Sequence, residues 1–222
     1  NKTFDSAIFF GPSGTGKTTL ARIIAREMDG DFHEINASTT GTKELKELLD
    51  HAKIKFFGLE KKTTYVYIDE FHRWNKLQQD SLLKALEEGT IKFIGSTTEN
   101  PYFSVNNAII SRVRNIYEFK RLKPENLLTI AHRALDDKIV GFGNLEIPYE
   151  EEALKALASL ANGDGRVTLD TIGFIVDNLC EGQAITKEIV AEAMQRKIGF
   201  YDKGDDRYNL LSALQKSIRG SD

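Results

Sequence analysis

Eight consecutive residues constrain this chain more than any others: Gly11, Pro12, Ser13, Gly14, Thr15, Gly16, Lys17 and Thr18 satisfy the pattern GxxxxGK(S/T). They follow an apolar run, Ala7 to Phe10, and open a stretch with helical apolar spacing at Leu20, Ile23 and Ile24. That context predicts a strand, a glycine-rich loop and a helix whose N-terminus faces phosphate. Glycines let backbone N–H groups turn inward around phosphate oxygens, Lys17 supplies a point charge to the β and γ oxygens, and the Thr18 hydroxyl suits Mg²⁺. A tight turn that binds nothing accounts for the glycines but not for Lys17 and Thr18 together. Residues 11–18 and the following Thr19 are therefore the expected contacts for a nucleotide.

Such a loop requires a carboxylate at the end of a neighbouring strand, and Tyr65-Val66-Tyr67-Ile68-Asp69-Glu70 supplies one. Asp69 is the expected metal group together with Thr18, either directly or through water, and Glu70 is the expected general base for an attacking water. Further short apolar runs, Ile91 to Ile94, Ile116 to Phe119 and the weaker Phe32 to Ile35, alternate with segments of helical period. The alternation predicts a doubly wound α/β fold with a parallel five-stranded sheet. After Pro124 only helical spacing remains, as in Leu127, Ala131 and Leu135, then Leu154 and Leu157, then Ile172 and Val176, with a fourth helix over Lys187 to Gln195. The expected organisation is an α/β core over 1–122, a small all-α lid over 123–199 and the start of a further helical region over 200–222.

Composition narrows the class without naming it. With 222 residues, 41% of them hydrophobic, the chain has material for one substantial core and a smaller second one. A net charge of -3 carries no signal of a phosphate-backbone partner. Cys180 is the single cysteine, which excludes an internal disulfide and any zinc site built on paired thiols; it is expected to pack in the core. No apolar run approaches the roughly 18 residues of a membrane span, so the reading is of a soluble, cytoplasmic protein with no membrane partner. Asn75-Lys76-Leu77-Gln78 begins like a guanine-reading element but carries Gln78 where the essential Asp belongs, which favours adenine.

Four elements in order, Gly11 to Thr18, Asp69-Glu70, Ile94-Gly95-Ser96-Thr97-Thr98 and Ile110-Ser111-Arg112, resemble an AAA+ ATPase of the clamp-loader branch. Longer strings are similar to the replication-associated recombination protein A family and its eukaryotic relative, the Werner-helicase-interacting ATPase. These are Asp69 to Lys76, Thr97-Thr98-Glu99-Asn100-Pro101 and Ser217 to Asp222. The resemblance implies Thr98 as the sensor that holds the attacking water at the end of a strand beside Asp69, with Thr97 as second choice. It implies Arg112 as an arginine finger acting on a neighbouring subunit, with Arg114 as rival; otherwise Arg112 is a surface residue pairing with Glu118. Arg166, in Gly163-Asp164-Gly165-Arg166, becomes the lid residue that meets the γ-phosphate, and Asp164 is also an ordinary helix cap. His72 reads as a structural or coupling residue.

The same resemblance implies ATP and Mg²⁺, a homo-oligomer, and action on single-stranded or forked DNA at stalled or damaged replication forks, in association with the nucleoid. Single-stranded DNA-binding protein and replisome components are the implied partners. It also implies an upstream segment that completes the adenine pocket and a downstream region linked to assembly. The alternatives are a clamp-loader subunit or branch-migration motor and, from another class, an ATP-gated adaptor with little turnover.

Overall fold

Strand-forming runs and helical stretches alternate in the chain as the apolar periodicity requires. The structure, a computed structural model, describes residues 4–58 and 62–201, with side chains to 195. The chain separates into two compact units that part between Arg121 and Leu122.

In the first unit five strands form one parallel sheet: β1 (Ala7–Phe10), β2 (Asp31–Asn36), β3 (Thr64–Asp69), β4 (Ile91–Thr97) and β5 (Asn115–Glu118), in the order β2-β3-β4-β1-β5. Helices α1 (Lys17–Glu27), α2 (Thr42–Phe57), α3 (Lys76–Glu88), α4 (Pro101–Ser104) and α5 (Asn107–Arg112) connect them. Because strand side chains alternate, each strand feeds two cores. Ile8, Val66, Ile68 and Phe93 pack with Leu45 and Ala52 of α2 and Leu82 of α3, while Ala7, Phe9, Tyr65, Tyr67 and Ile94 pack with Ala21 and Ala25 of α1. Burial on both faces explains why these strands are apolar runs and not alternating patterns.

The sheet order decides where polar chemistry collects. From β1 the chain crosses past β4 and β3 to reach β2, and later returns to place β5 on the other side of β1. Ligands in open α/β sheets bind outside the carboxyl ends of the strands at such a reversal. Here the ends of β1, β3 and β4 carry the glycine-rich loop, Asp69-Glu70 and Ser96-Thr97.

The guanine-like string has a local explanation. Asn75 caps α3: its Oδ1 accepts from the Gln78 backbone N–H at 2.9 Å, and Gln78 Oε1 accepts from the Asn75 N–H at 3.1 Å. This reciprocal capping box uses Asn75 and Gln78 for helix initiation. At the other end Gly89 takes φ 69°, the left-handed cap that lets the chain leave α3.

The second unit is helical: α6 (Pro124–Asp136), α7 (Glu151–Leu160), α8 (Gly165–Asn178) and α9 (Lys187–Tyr201). Ala131, Leu135, Leu154, Leu157, Ile172, Ile175 and Val190 form its core. Leu122 belongs to this unit, its N–H bonded to the Gly163 carbonyl at 3.1 Å. One expectation is corrected: Cys180 is exposed. Helix α8 ends at Asn178, so Cys180 falls in the following turn, where its N–H donates to Gln183 Oε1 at 3.1 Å. The expected segment over 202–222, including Ser217 to Asp222, lies outside the described residues.

Candidate active site

The glycine-rich loop leaves β1 at Gly11, whose N–H bonds to the Thr97 carbonyl at 3.0 Å. Gly11 has φ 138°, and a Cβ there would stand 2.0 Å from the Phe119 carbonyl oxygen, so only glycine lets the loop pass β5 this closely. Gly14 and Gly16 also have positive φ, 65° and 93°, which curls the loop over the start of α1. Lys17 is buried, and its Nζ donates to the Gly11 carbonyl at 2.8 Å and to the Pro12 carbonyl at 2.7 Å. Its ammonium is thus held inside the curl of the loop. Thr15 is pinned to the Pro12 carbonyl at 2.9 Å, whereas Ser13 and Thr19 are exposed.

Thr18 and Asp69 are joined through a residue that sequence reading did not single out. The Tyr67 hydroxyl donates to Asp69 Oδ1 at 3.2 Å and meets Thr18 Oγ1 at 2.8 Å. With its proton committed to Asp69, the phenol accepts from Thr18. Ser96 also donates to Asp69 Oδ1. Burial pushes the Tyr67 hydroxyl up to about 12, with the neighbouring Ser96 and Thr18 hydroxyls pulling the other way, so the phenol stays protonated and keeps its role as donor. Strand period explains the grouping: Tyr65, Tyr67 and Asp69 share the α1 face, and parallel pairing of Ile68 with Gly95 brings Ser96 level with Asp69. The signal in the sequence was a polar tip on an otherwise apolar strand, two residues before the acid.

This register corrects the placement of Thr98. Strand β4 ends at Thr97, Thr98 lies beyond it and is exposed, and Ser96 is the residue that touches Asp69. Thr97 is buried, and its hydroxyl bonds to His72 Nδ1 at 3.0 Å and accepts from the Glu99 N–H at 3.0 Å.

Glu70 ends the strand in an unusual way. Its φ is 54° and ψ 38°, a left-handed conformation for a residue with a side chain, and it starts a short 3-10 turn over Phe71–Arg73. Positions of this kind cluster at functional sites because the surrounding structure must hold them. Buried Phe71 and Trp74 anchor the turn, and Glu70 Oε2 lies 3.4 Å from Arg73 Nε and 3.5 Å from His72 Nε2.

The lysine, hydroxyl, carboxylate and adjacent acid are therefore drawn from the ends of β1 and β3 into one place, with Ser96 of β4 bonded to the carboxylate. The donor set fits a nucleotide with a magnesium ion. Magnesium is usually held by one or two carboxylates together with substrate phosphates, and no cluster of three or more His, Cys, Asp or Glu is found among the described residues. Arg112 is in a different setting at the end of α5, pairing with Glu87 through Nη2 and donating to the Ala108 carbonyl at 2.9 Å through Nη1. Its ion-pair partner is Glu87, so the alternative of a pairing with Glu118 is not the one seen. Arg114 is exposed. In the helical unit Asp164 caps α8 by accepting from the N–H groups of Arg166 at 2.8 Å and Val167 at 3.0 Å, which leaves the Arg166 side chain exposed on the first turn.

Comparison with known proteins agrees with this reading of the fold. The family model described as "ATPase family associated with various cellular activities (AAA)" matches residues 7–121, and "AAA C-terminal domain" matches residues 143–219. The chain is 43% identical over 222 residues to Replication-associated recombination protein A of Escherichia coli, covering 97% of this chain and 49% of that protein. It is 39% identical to ATPase WRNIP1 of Dictyostelium discoideum, over 98% of this chain and 27% of the relative. It thus spans half or less of the length of these relatives. Among solved structures the Thermotoga maritima RuvB Holliday junction branch migration motor superimposes with a TM-score of 0.69 at 24% identity, over 87% of this chain and 62% of the other, a likeness of fold.

Proposed function

The chain belongs to the AAA family of ATPases, and from that premise we propose that it binds ATP with Mg²⁺ and hydrolyses it as the motor part of a longer protein acting on DNA. The observation that carries the reading is the bonded series Thr18, Tyr67, Asp69, which ties the first turn after the glycine-rich loop to the strand end that bears Glu70. Backbone N–H groups of residues 11–18 and the Lys17 ammonium would bind the phosphates. On substrate entry Lys17 exchanges its two carbonyl partners for phosphate oxygens, a stronger charge-assisted pairing. Thr18 and Asp69 would hold the magnesium ion, which when bound neutralises charge on the β and γ oxygens. The Tyr67 and Ser96 hydroxyls both donate to Asp69 Oδ1, so Oδ2 is the oxygen that would be left to the metal ion or its water. Glu70 takes a proton from the attacking water, and Thr98, or Thr97 beside it, helps hold that water.

Two further roles follow from the resemblance to Replication-associated recombination protein A. Arg112 would leave Glu87 and act on the site of a neighbouring copy, where a finger supplied in trans contributes on the order of 10³ to 10⁵ in rate. Arg166 would stabilise the γ-phosphate from the helical unit. A homo-oligomer follows from the first role, and replication-associated recombination, at stalled or damaged forks, is the proposed setting.

Steady-state ATP hydrolysis by the full-length parent protein, with and without single-stranded and forked DNA, tests the reading. Glu70→Gln should retain ATP binding and lose turnover by about 10² or more, the scale of general-base catalysis. Arg112→Ala should also lose turnover, and unsubstituted protein should accelerate with DNA. Binding without turnover under every DNA condition would leave an ATP-gated adaptor in its place.

A further inference from the structure

Thr97 has one hydroxyl proton and two acceptors for it. Its oxygen already accepts from the Glu99 N–H at 3.0 Å, and the proton can go to His72 Nδ1 at 3.0 Å or to the Glu99 carbonyl at 3.5 Å. With the proton in the shorter contact, Nδ1 is the acceptor and the imidazole N–H lies at Nε2. That N–H faces two carboxylates: Glu70 Oε2 at 3.5 Å and Glu99 Oε1 at 3.9 Å. Glu70 is both nearer and less exposed, 28% against 58%, so water screens its interaction with the imidazole less. The imidazole itself is only 12% exposed and has little freedom to turn away.

Arg73 addresses the same oxygen, Oε2, at 3.4 Å. With the Arg73 hydrogen bond and the nearer approach of His72 Nε2 both at Oε2, Oε1 is the oxygen left to a water. The backbone makes this control necessary, because Glu70 sits in a left-handed conformation that its side chain disfavours and its rotamer needs support from neighbours. Contacts of this length suit a site without substrate, since catalytic hydrogen bonds often tighten only when substrate binds.

We propose that His72 is a positioning residue: the Thr97 hydroxyl fixes its tautomer, and its Nε2–H holds Glu70 Oε2 so that Oε1 is presented to the attacking water. The inference rests on the hydrolytic reading above, and it adds a physical link from the end of β4 to the base. Any shift of Thr97 as β4 responds to the nucleotide reaches the Glu70 carboxylate through one imidazole ring.

The test uses the full-length parent protein with His72→Ala, His72→Asn, His72→Gln and Thr97→Val, measuring kcat, KM and ATP affinity. Nitrogen-15 NMR of the imidazole reports the tautomer. His72→Ala and His72→Asn should lower kcat about tenfold, the scale of one lost charge-assisted hydrogen bond, with ATP affinity unchanged. His72→Gln, whose amide nitrogen reaches about as far as Nε2, should recover most of the rate. The unsubstituted protein should show the Nε2–H form, and Thr97→Val should lose that preference. Equal rates for the Gln and Asn variants, whether both normal or both impaired, overturn the proposal, as does an Nδ1–H tautomer. If His72→Ala fails to fold, as seen by loss of ATP binding, the Gln and Asn pair still decides. Retained turnover in Glu70→Gln would instead remove Glu70 as the general base, while the tautomer result would stand by itself.

Discussion

The two units use buried polar groups in opposite ways. In the helical unit Thr168 and Thr171 are fully buried, and each returns its hydroxyl to a carbonyl one turn earlier in α8, Thr168 to Asp164 at 3.2 Å and Thr171 to Val167 at 2.7 Å. Apart from the contact of Thr171 with Met194 Sδ at 3.4 Å, its polar bonds between elements, such as Tyr149 to Asp136, lie at the surface. In the α/β unit the polar groups at the strand ends bond across elements: Thr18 to Tyr67, Ser96 to Asp69, Thr97 to His72, with Gln79 Nε2 reaching the carbonyls of Trp74 and Ser104. Local satisfaction costs little and specifies little. Bonds between strand ends hold side chains from distant parts of the chain at fixed separations, which is what a catalytic group requires.

The comparison can be broken by substitution. Leu157→Ala, in the core of the helical unit, should produce the largest change in stability, about 2 to 5 kcal/mol from lost burial and the cavity left behind. Urea denaturation measures it, and a cost below about 1 kcal/mol would show that this core is not what holds the helices together. Lys17→Met should act on function instead, reducing ATP affinity on the order of 100-fold through the lost phosphate contacts while the melting temperature barely moves. A large fall in melting temperature would mean that the buried ammonium serves folding, contrary to the contrast drawn here.

Asn75→Ala sharpens the contrast on a smaller scale. Loss of the α3 cap should cost about 1 kcal/mol, with preference for adenine over guanine nucleotides unchanged in a competition assay. A changed base preference would return the Asn75 to Gln78 string to nucleotide reading. The smallest effect concerns Asp31, whose carboxyl is held below its ordinary 3.8 by the hydrogen bond from Lys55 and then that from Lys62. A depressed folded-state value means stability present above 3.8 and lost as pH falls through the lower folded value. Asp31→Asn should therefore flatten the pH dependence of stability in that acidic window and, without the pairing to Lys55 and Lys62, be slightly less stable at neutral pH.

Much of the fold was legible because both periodicities were strong. The five strand runs were read from apolar stretches, and their ends moved by only a few residues, as with β4, which continues from Ile94 to Thr97. The extension mattered, since it put Ser96 beside Asp69 and left Thr98 past the strand. A run of Gly, Ser and Thr carries no apolar signal, so its pairing with β3 could come only from the sheet. Cys180 was misread for a related reason: the helical stripe ends at Leu179, and only the break of α8 after Asn178 turns the next residue outward.

By itself the sequence determined the glycine-rich loop, the acid pair and the succession of strands and helices, because these depend on residue type at short spacing. Glycines at 11, 14 and 16 meet a local backbone demand for positive φ, and Asp69 and Glu70 end an apolar run. Tertiary structure alone decided how those pieces meet. The order β2-β3-β4-β1-β5 brings residues 25 to 49 positions apart within hydrogen-bond reach at neighbouring strand ends, and parallel register then selects Tyr67, Ser96 and His72 as the groups that link them. No local pattern encodes that selection, since a hydrogen bond between distant residues exists only once the sheet has set their separation.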